Sequence, residues 1–252
     1  MPELLASPIL LGLLATLGTG LATGVGALPA LAARQPSARM LDALLGLAAG
    51  VMLAATAFSL LVPAIEAGGP WVAGAGVIVG ALFLSALDRV IPHLHFVAGP
   101  EGPKSSLRRV WLFVLAITLH NFPEGLGVGV GFGAGEPNGA VVLAIAIALQ
   151  NMPEGLAVAL PLLREGYSRG RAVLVAAATG LAEPLAGLFG AAAVTVARPL
   201  LPIGLAFAAG AMLFVVSDEI IPETHRRGFE REATFGLIAG FVVMMLLDNL
   251  LG

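Results

Sequence analysis

The chain has 252 residues and a formal net charge of −3, with 58% of residues hydrophobic and 12% charged. Its mean hydropathy is +0.96. A soluble domain carries about 25% charged residues, so this chain lacks the polar side chains that a water-facing surface needs, and it belongs in a lipid bilayer. There are no cysteines, which excludes disulfides, Fe–S clusters and thiolate metal sites. No nucleic-acid partner is expected.

A membrane-crossing helix needs about 20 apolar residues, and eight segments meet that length: 8–31, 41–63, 71–91, 109–133, 139–163, 172–197, 201–221 and 233–251. The expected fold is an all-α membrane protein of eight transmembrane helices in a single domain, residues 1–252. The first run follows Met1-Pro2-Glu3; without a positive leader region it reads as a retained span. Span 2 carries Ala48-Ala49-Gly50-Val51-Met52-Leu53, and span 3 ends near Asp88. The longest connection, Pro92 to Arg108, holds His93, His95 and Lys104.

Spans 4 and 5 share a motif. Leu119-His120-Asn121-Phe122-Pro123-Glu124-Gly125-Leu126 is echoed by Leu149-Gln150-Asn151-Met152-Pro153-Glu154-Gly155-Leu156, and the two spans run in opposite directions. Span 6 adds Glu183-Pro184. Span 7 repeats the span 2 pattern as Ala208-Ala209-Gly210-Ala211-Met212-Leu213, then reaches Asp218, Glu219, Glu223 and His225. Span 8 holds Asp248 near its outer end. Paired, interrupted helices of inverted topology point to a secondary transporter with a midplane site.

Basic residues set the orientation. Twelve of the thirteen Lys and Arg residues flank the loops after spans 1, 3, 5 and 7, and Arg198 alone lies opposite. Under the positive-inside rule those loops are cytoplasmic, which leaves both termini outside.

On a helix, positions i, i+3 and i+4 share a face. His120, Asn121 and Glu124 therefore project together from span 4, as do Gln150, Asn151 and Glu154 from span 5. Pro123 and Pro153 disturb the turns before them, and Gly125 and Gly155 admit a close backbone. A carboxylate at mid-membrane costs at least about 2.5–3.5 kcal/mol. Two facing carboxylates, with Glu183 as a third, repel unless a proton or cation neutralises them. A divalent ion resolves that conflict, and imidazole, carboxylate and amide ligands suit Zn²⁺, Cd²⁺, Fe²⁺ or Mn²⁺ better than Cu⁺.

These paired HNFPEG and QNMPEG motifs, on the fourth and fifth of eight spans, resemble those of the ZIP (Zrt/Irt-like) metal transporters. The resemblance implies a 3+2+3 bundle with inverted repeats around spans 4 and 5, a homodimer, and an elevator-like movement. It also implies a two-metal site: His120, Glu124, Gln150 and Glu154 at the first position, and Asn121, Asn151 and Glu183 with the bridging glutamates at the second. Met52 resembles a residue beside the first position and would add a soft contact. Asn151 departs from the aspartate often found there in prokaryotic members, so the second position carries one charge less. The family's His-rich cytoplasmic loop shrinks here to Pro92-His93-Leu94-His95.

The expected cargo is Zn²⁺ or a similar divalent ion, moved into the cytoplasm across the cytoplasmic membrane, with no bound cofactor and no enzymatic activity. A metal-selective channel with the same site and a proton-coupled organic solute carrier are the rival readings. An intramembrane hydrolase is disfavoured, since no H-E-x-x-H pair is present. Other polar residues keep two readings each. His93 and His95 are a release site or plain loop histidines. Asp88 is a helix-pairing acid or an exit residue. Asp218 and Glu219 are an acidic exit path or a solvated helix end. Asp248 is an outer receiving acid or an interfacial charge.

Overall fold

A computed structural model describes residues 7–32, 36–95, 99–101, 108–135 and 137–252, with backbone alone for 93–95 and 99–101. Its helices are α1 (Pro8–Ala27), α2 (Ala38–Ala54), α3 (Val62–Val90), α4 (Arg109–Gly133), α5 (Pro137–Arg164), α6 (Arg169–Thr179), α7 (Ala182–Val196), α8 (Leu201–Val215), α9 (Ile221–Thr224) and α10 (Glu230–Leu251). Between α3 and α4 a short antiparallel hairpin pairs β1 (His93–His95) with β2 (Gly99–Glu101). The chain is thus an all-α membrane protein with one small loop hairpin.

Local chemistry explains several helix starts. Pro8 opens α1, where its missing N–H is harmless. The Ser37 hydroxyl accepts the Met40 N–H at 3.2 Å and caps α2. Seven helical stretches among the described residues are long and apolar enough to cross a membrane. One of them, Ala38–Val90, has 53 residues. A straight helix of that length would be roughly 80 Å long, against a hydrocarbon core of about 30 Å. Its axis breaks at Gly69, with φ 79° and ψ 165°, a conformation in the region that glycine tolerates best.

The expected interruptions fall elsewhere than at the motif prolines. α4 and α5 run continuously through Pro123 and Pro153. The irregular turns are instead π-helical, at Ala55–Leu61 after α2 and Val216–Ile220 after α8. Each comes directly after one copy of the Ala-Ala-Gly-x-Met-Leu echo. Neighbouring helices re-satisfy backbone groups around a buried proline, whereas a π-turn inserts an extra residue and re-aims the side chains beyond it.

The helices pack in matched pairs. α2 lies along α10 and α3 along α8; α1 lies along α5 and α7 along α4. Exchanging α1 with α7, α2 with α8, α3 with α10 and α4 with α5 maps these pairings onto themselves, which is the internal symmetry that inverted repeats produce. α4 and α5 sit at the centre: 78% and 72% of their apolar windows are buried, against 11% for α10. Leu185, Phe189 and Val196 face outward while Glu124, Glu154 and Glu183 are fully enclosed. Apolar outside and polar inside is the arrangement that lipid selects.

Candidate metal centre

The motif glycines set the geometry of the centre. A Cβ on Gly125 would lie 2.3 Å from the Glu183 carbonyl oxygen, and one on Gly155 would lie 1.8 Å from that of Thr23. The backbones of α4 and α7, and of α5 and α1, therefore meet at the motifs, and no larger residue fits. A second crossing joins Gly20 to Gly180, where an added Cβ on either glycine would meet the other's carbonyl oxygen at 2.2 Å.

His120, Asn121, Glu124, Gln150, Asn151, Glu154, Glu183 and Met52 are all buried. Glu124 lies within electrostatic reach of Glu154 and Glu183, and Glu154 within reach of His120. Both carboxylate oxygens of Glu124 and of Glu154, Gln150 Oε1, Glu183 Oε2 and both polar atoms of Asn121 are buried without hydrogen-bond partners. Each such group costs about 1–3 kcal/mol when left unsatisfied. A cation, water or, at the carboxyls, protons can satisfy such a set.

The centre is not a closed cage in this conformation. Among the described residues, no three His, Asp or Glu side chains converge closely enough to hold one ion. His120 Nε2 is instead 2.6 Å from Glu219 Oε2. Glu219 lies in the π-turn after α8, and that turn carries its carboxylate toward α4. Sequence reading groups Glu219 with Asp218 on one path; the structure separates them, because Asp218 is exposed in a crevice between α3 and α8.

Asn151 is held by three partners. Its Nδ2 donates to Glu183 Oε1 at 2.7 Å and to the Thr19 carbonyl at 2.9 Å, while its Oδ1 accepts from Gln150 Nε2 at 3.2 Å. The Thr19 hydroxyl also lies beside Glu183. Glu183 stands in the first turn of α7, where the unpaired N–H groups of a helix start favour negative charge. Met52 and Met212, 160 positions apart, are both fully buried in the main apolar cluster.

Outside this centre, Ser59 in the first π-turn donates to Asp248 Oδ1 at 2.5 Å. Ser59 also lines a cavity of about 780 Å³ with Glu66, Asn138 and Arg198, near the ends of α4 and α8. Asp88 is buried on α3. His93 and His95 lie in β1, and the structure describes only their backbone. On the other side, Arg227 joins the buried Asp42 at 3.2 Å and also bonds Glu223, which Arg226 holds as well.

Sequence reading missed Thr19 and Thr23 on α1. Thr23 Oγ1 is buried with no hydrogen-bond partner, beside the Gly155 contact. The signal was present: Thr19-Gly20-Leu21-Ala22-Thr23 recurs as Thr179-Gly180-Leu181-Ala182-Glu183. The offset of 160 residues is the one that separates the two Ala-Ala-Gly-x-Met-Leu segments. Thr23 is therefore the repeat counterpart of Glu183.

Fold and centre together define a multi-pass helical membrane protein with a buried, ligand-rich midsection. Residues 99–248 match the ZIP Zinc transporter family. The chain is 48% identical to the zinc transporter GufA of Myxococcus xanthus, over 96% of this chain and 99% of that protein. It is 52% identical to the zinc transporter ZIPB of Bordetella bronchiseptica, over 92% of this chain and 78% of that one. Against the human zinc transporter ZIP11 the identity is 38%, over 98% of both chains. The chain belongs to the ZIP zinc transporter family.

Proposed function

We propose that this chain is a secondary transporter that carries divalent transition-metal ions, Zn²⁺ foremost, into the cytoplasm. Transport rather than catalysis is its role. The ion binds between α4 and α5 at His120, Glu124, Gln150 and Glu154, with Met52, Asn121, Asn151 and Glu183 alongside. One observation carries this reading: the partnerless oxygens of Glu124, Glu154 and Gln150 are buried together on the two most enclosed helices. The names of the relatives point to zinc among the divalent ions that this ligand set suits.

Counting the Gly69 break as a turn between two crossings gives eight spans, and the positive-inside rule then leaves both termini outside the cytoplasmic membrane. In this frame the ion arrives past Asp248 and Ser59, whose cavity lies on the outer side. It leaves past Glu219 and Asp88 toward His93 and His95. The His120–Glu219 contact between α4 and the turn after α8 supports a carrier of the alternating-access type, in which His120 passes between the ion and Glu219. The working unit is a homodimer.

Radiolabelled Zn²⁺ uptake into proteoliposomes tests the assignment, with His120→Ala and Glu154→Ala beside the parent. Both variants should lose most uptake while inserting and purifying normally. Uptake equal to the parent in both would remove the ion from this centre.

A further inference from the structure

Resting on the ion site just assigned, we propose that the amide of Asn151 fills the second metal position, so that the chain carries one ion at a time rather than a pair. The Asn151 side chain is fully buried. Both hydrogens of its amide nitrogen are committed, one to Glu183 Oε1 at 2.7 Å and one to the Thr19 carbonyl at 2.9 Å. The Asn151 oxygen in turn receives the Gln150 N–H, so all three contacts of the amide agree on this orientation.

A metal ligand must offer a lone pair, and an amide nitrogen has none to give. Toward Glu183 this chain therefore presents a donor where a second ion would need an acceptor. The N–H group does the work of a cation: it satisfies one Glu183 oxygen and ties α5 to α1 and α7. Glu183 is further served by its place in the first turn of α7. All four oxygens of Glu124 and Glu154 lack partners, whereas on the Glu183 side Oε1 is paired and only Oε2 and the Asn121 amide are left without one, so the centre divides into a half that awaits an ion and a half that is partly satisfied.

The surrounding backbone holds this arrangement in place. Thr19 and Glu183 lie beside the Gly20–Gly180 crossing, where the two backbone segments are in direct contact. That crossing fixes the Thr19 carbonyl relative to the start of α7, and with it the two acceptors that Asn151 bridges. An aspartate at 151 would reverse the situation, placing a carboxylate against that of Glu183 with no donor between them.

The test is the number of Zn²⁺ ions bound per chain, measured by elemental analysis of the intact protein in lipid nanodiscs, with zinc X-ray absorption on the same samples. The parent should bind one ion and show no metal–metal scattering. Asn151→Asp should bind two, with a metal–metal distance of about 3.5–4 Å. Asn151→Ala removes the amide without adding charge and should stay at one ion. Two ions in the parent or in Asn151→Ala, or one ion in Asn151→Asp, would each overturn the proposal. No ion in the parent would instead remove the transport site on which it rests.

Discussion

His120 and Glu219 are joined across the boundary between the central helices and the outer ones, with Nε2 and Oε2 2.6 Å apart. His120 stands on α4, between the motif residues, whereas Glu219 belongs to the π-turn after α8. One imidazole nitrogen cannot serve a metal ion and this carboxylate together. At the site proposed above, the pair competes with ion binding, and relative movement of the two helices would decide which partner His120 takes.

Replacing Glu219 by Gln should tighten Zn²⁺ binding and slow its release. A hydrogen bond to a charged group contributes about 1.5–3 kcal/mol, so losing this competitor should lower Kd by roughly tenfold or more. Titration calorimetry gives the affinity, and efflux from preloaded vesicles gives the release rate. Weaker binding in this variant would show that Glu219 assists the ion rather than opposing it.

Acidification should weaken transport. At the proposed site, protons and Zn²⁺ contend for the same atoms of His120, Glu124 and Glu154, because such groups bind metal only when deprotonated. The metal-free state thus holds more protons than the loaded state, and apparent affinity falls as pH drops from about 7.5 to 5.5, through the usual histidine range. Initial uptake rates across that interval measure it. A flat profile in the parent would remove proton competition from the mechanism.

Gly155→Ala should be poorly tolerated and Gly18→Ala well tolerated. The first puts a methyl 1.8 Å from the Thr23 carbonyl oxygen, while the second adds one where no atom lies within 4 Å. Overpacking costs about 1–3 kcal/mol, and alanine in place of a helical glycine contributes about 1 kcal/mol in the other direction. Thermal denaturation in detergent should therefore give a lower Tm for Gly155→Ala and an unchanged or raised Tm for Gly18→Ala.

Arg227→Ala should destabilise the end of the bundle where α2 and α10 begin. It removes the cation bonded to Asp42, whose side chain is fully enclosed, and frees Glu223 from one of its two arginines. Stranding a buried charge costs about 3–5 kcal/mol. The double variant Asp42→Asn with Arg227→Gln should recover much of that loss, as read from the midpoint of thermal aggregation. Equal melting of single and double variants would mean that the pair contributes little.

Membrane class and helix positions could be read directly from the chain, because apolar runs of bilayer length have few other uses. α4 begins and ends where its run predicts, at Arg109 and Gly133, and α5 agrees to within two residues at each end. The motif pair was equally legible: buried His120, Glu124, Gln150 and Glu154 are too expensive in lipid to lack a purpose. Their glycines read as close-approach points, and Gly125 and Gly155 are in fact pressed against Glu183 and Thr23.

Only the folded molecule settled which groups meet. Nothing local in the chain says that Glu219 reaches His120, since a single extra residue in a π-turn decides where that carboxylate points. Nor does spacing reveal that Asn151 faces Glu183 and the Thr19 carbonyl, for those partners lie 32 and 132 positions away in the chain. Periodicity assigns a residue to one side of its own helix, because that depends on neighbours three and four positions along. The contacts across helices depend on crossings between glycine backbones, and these exist only once α1, α5, α6 and α7 have packed.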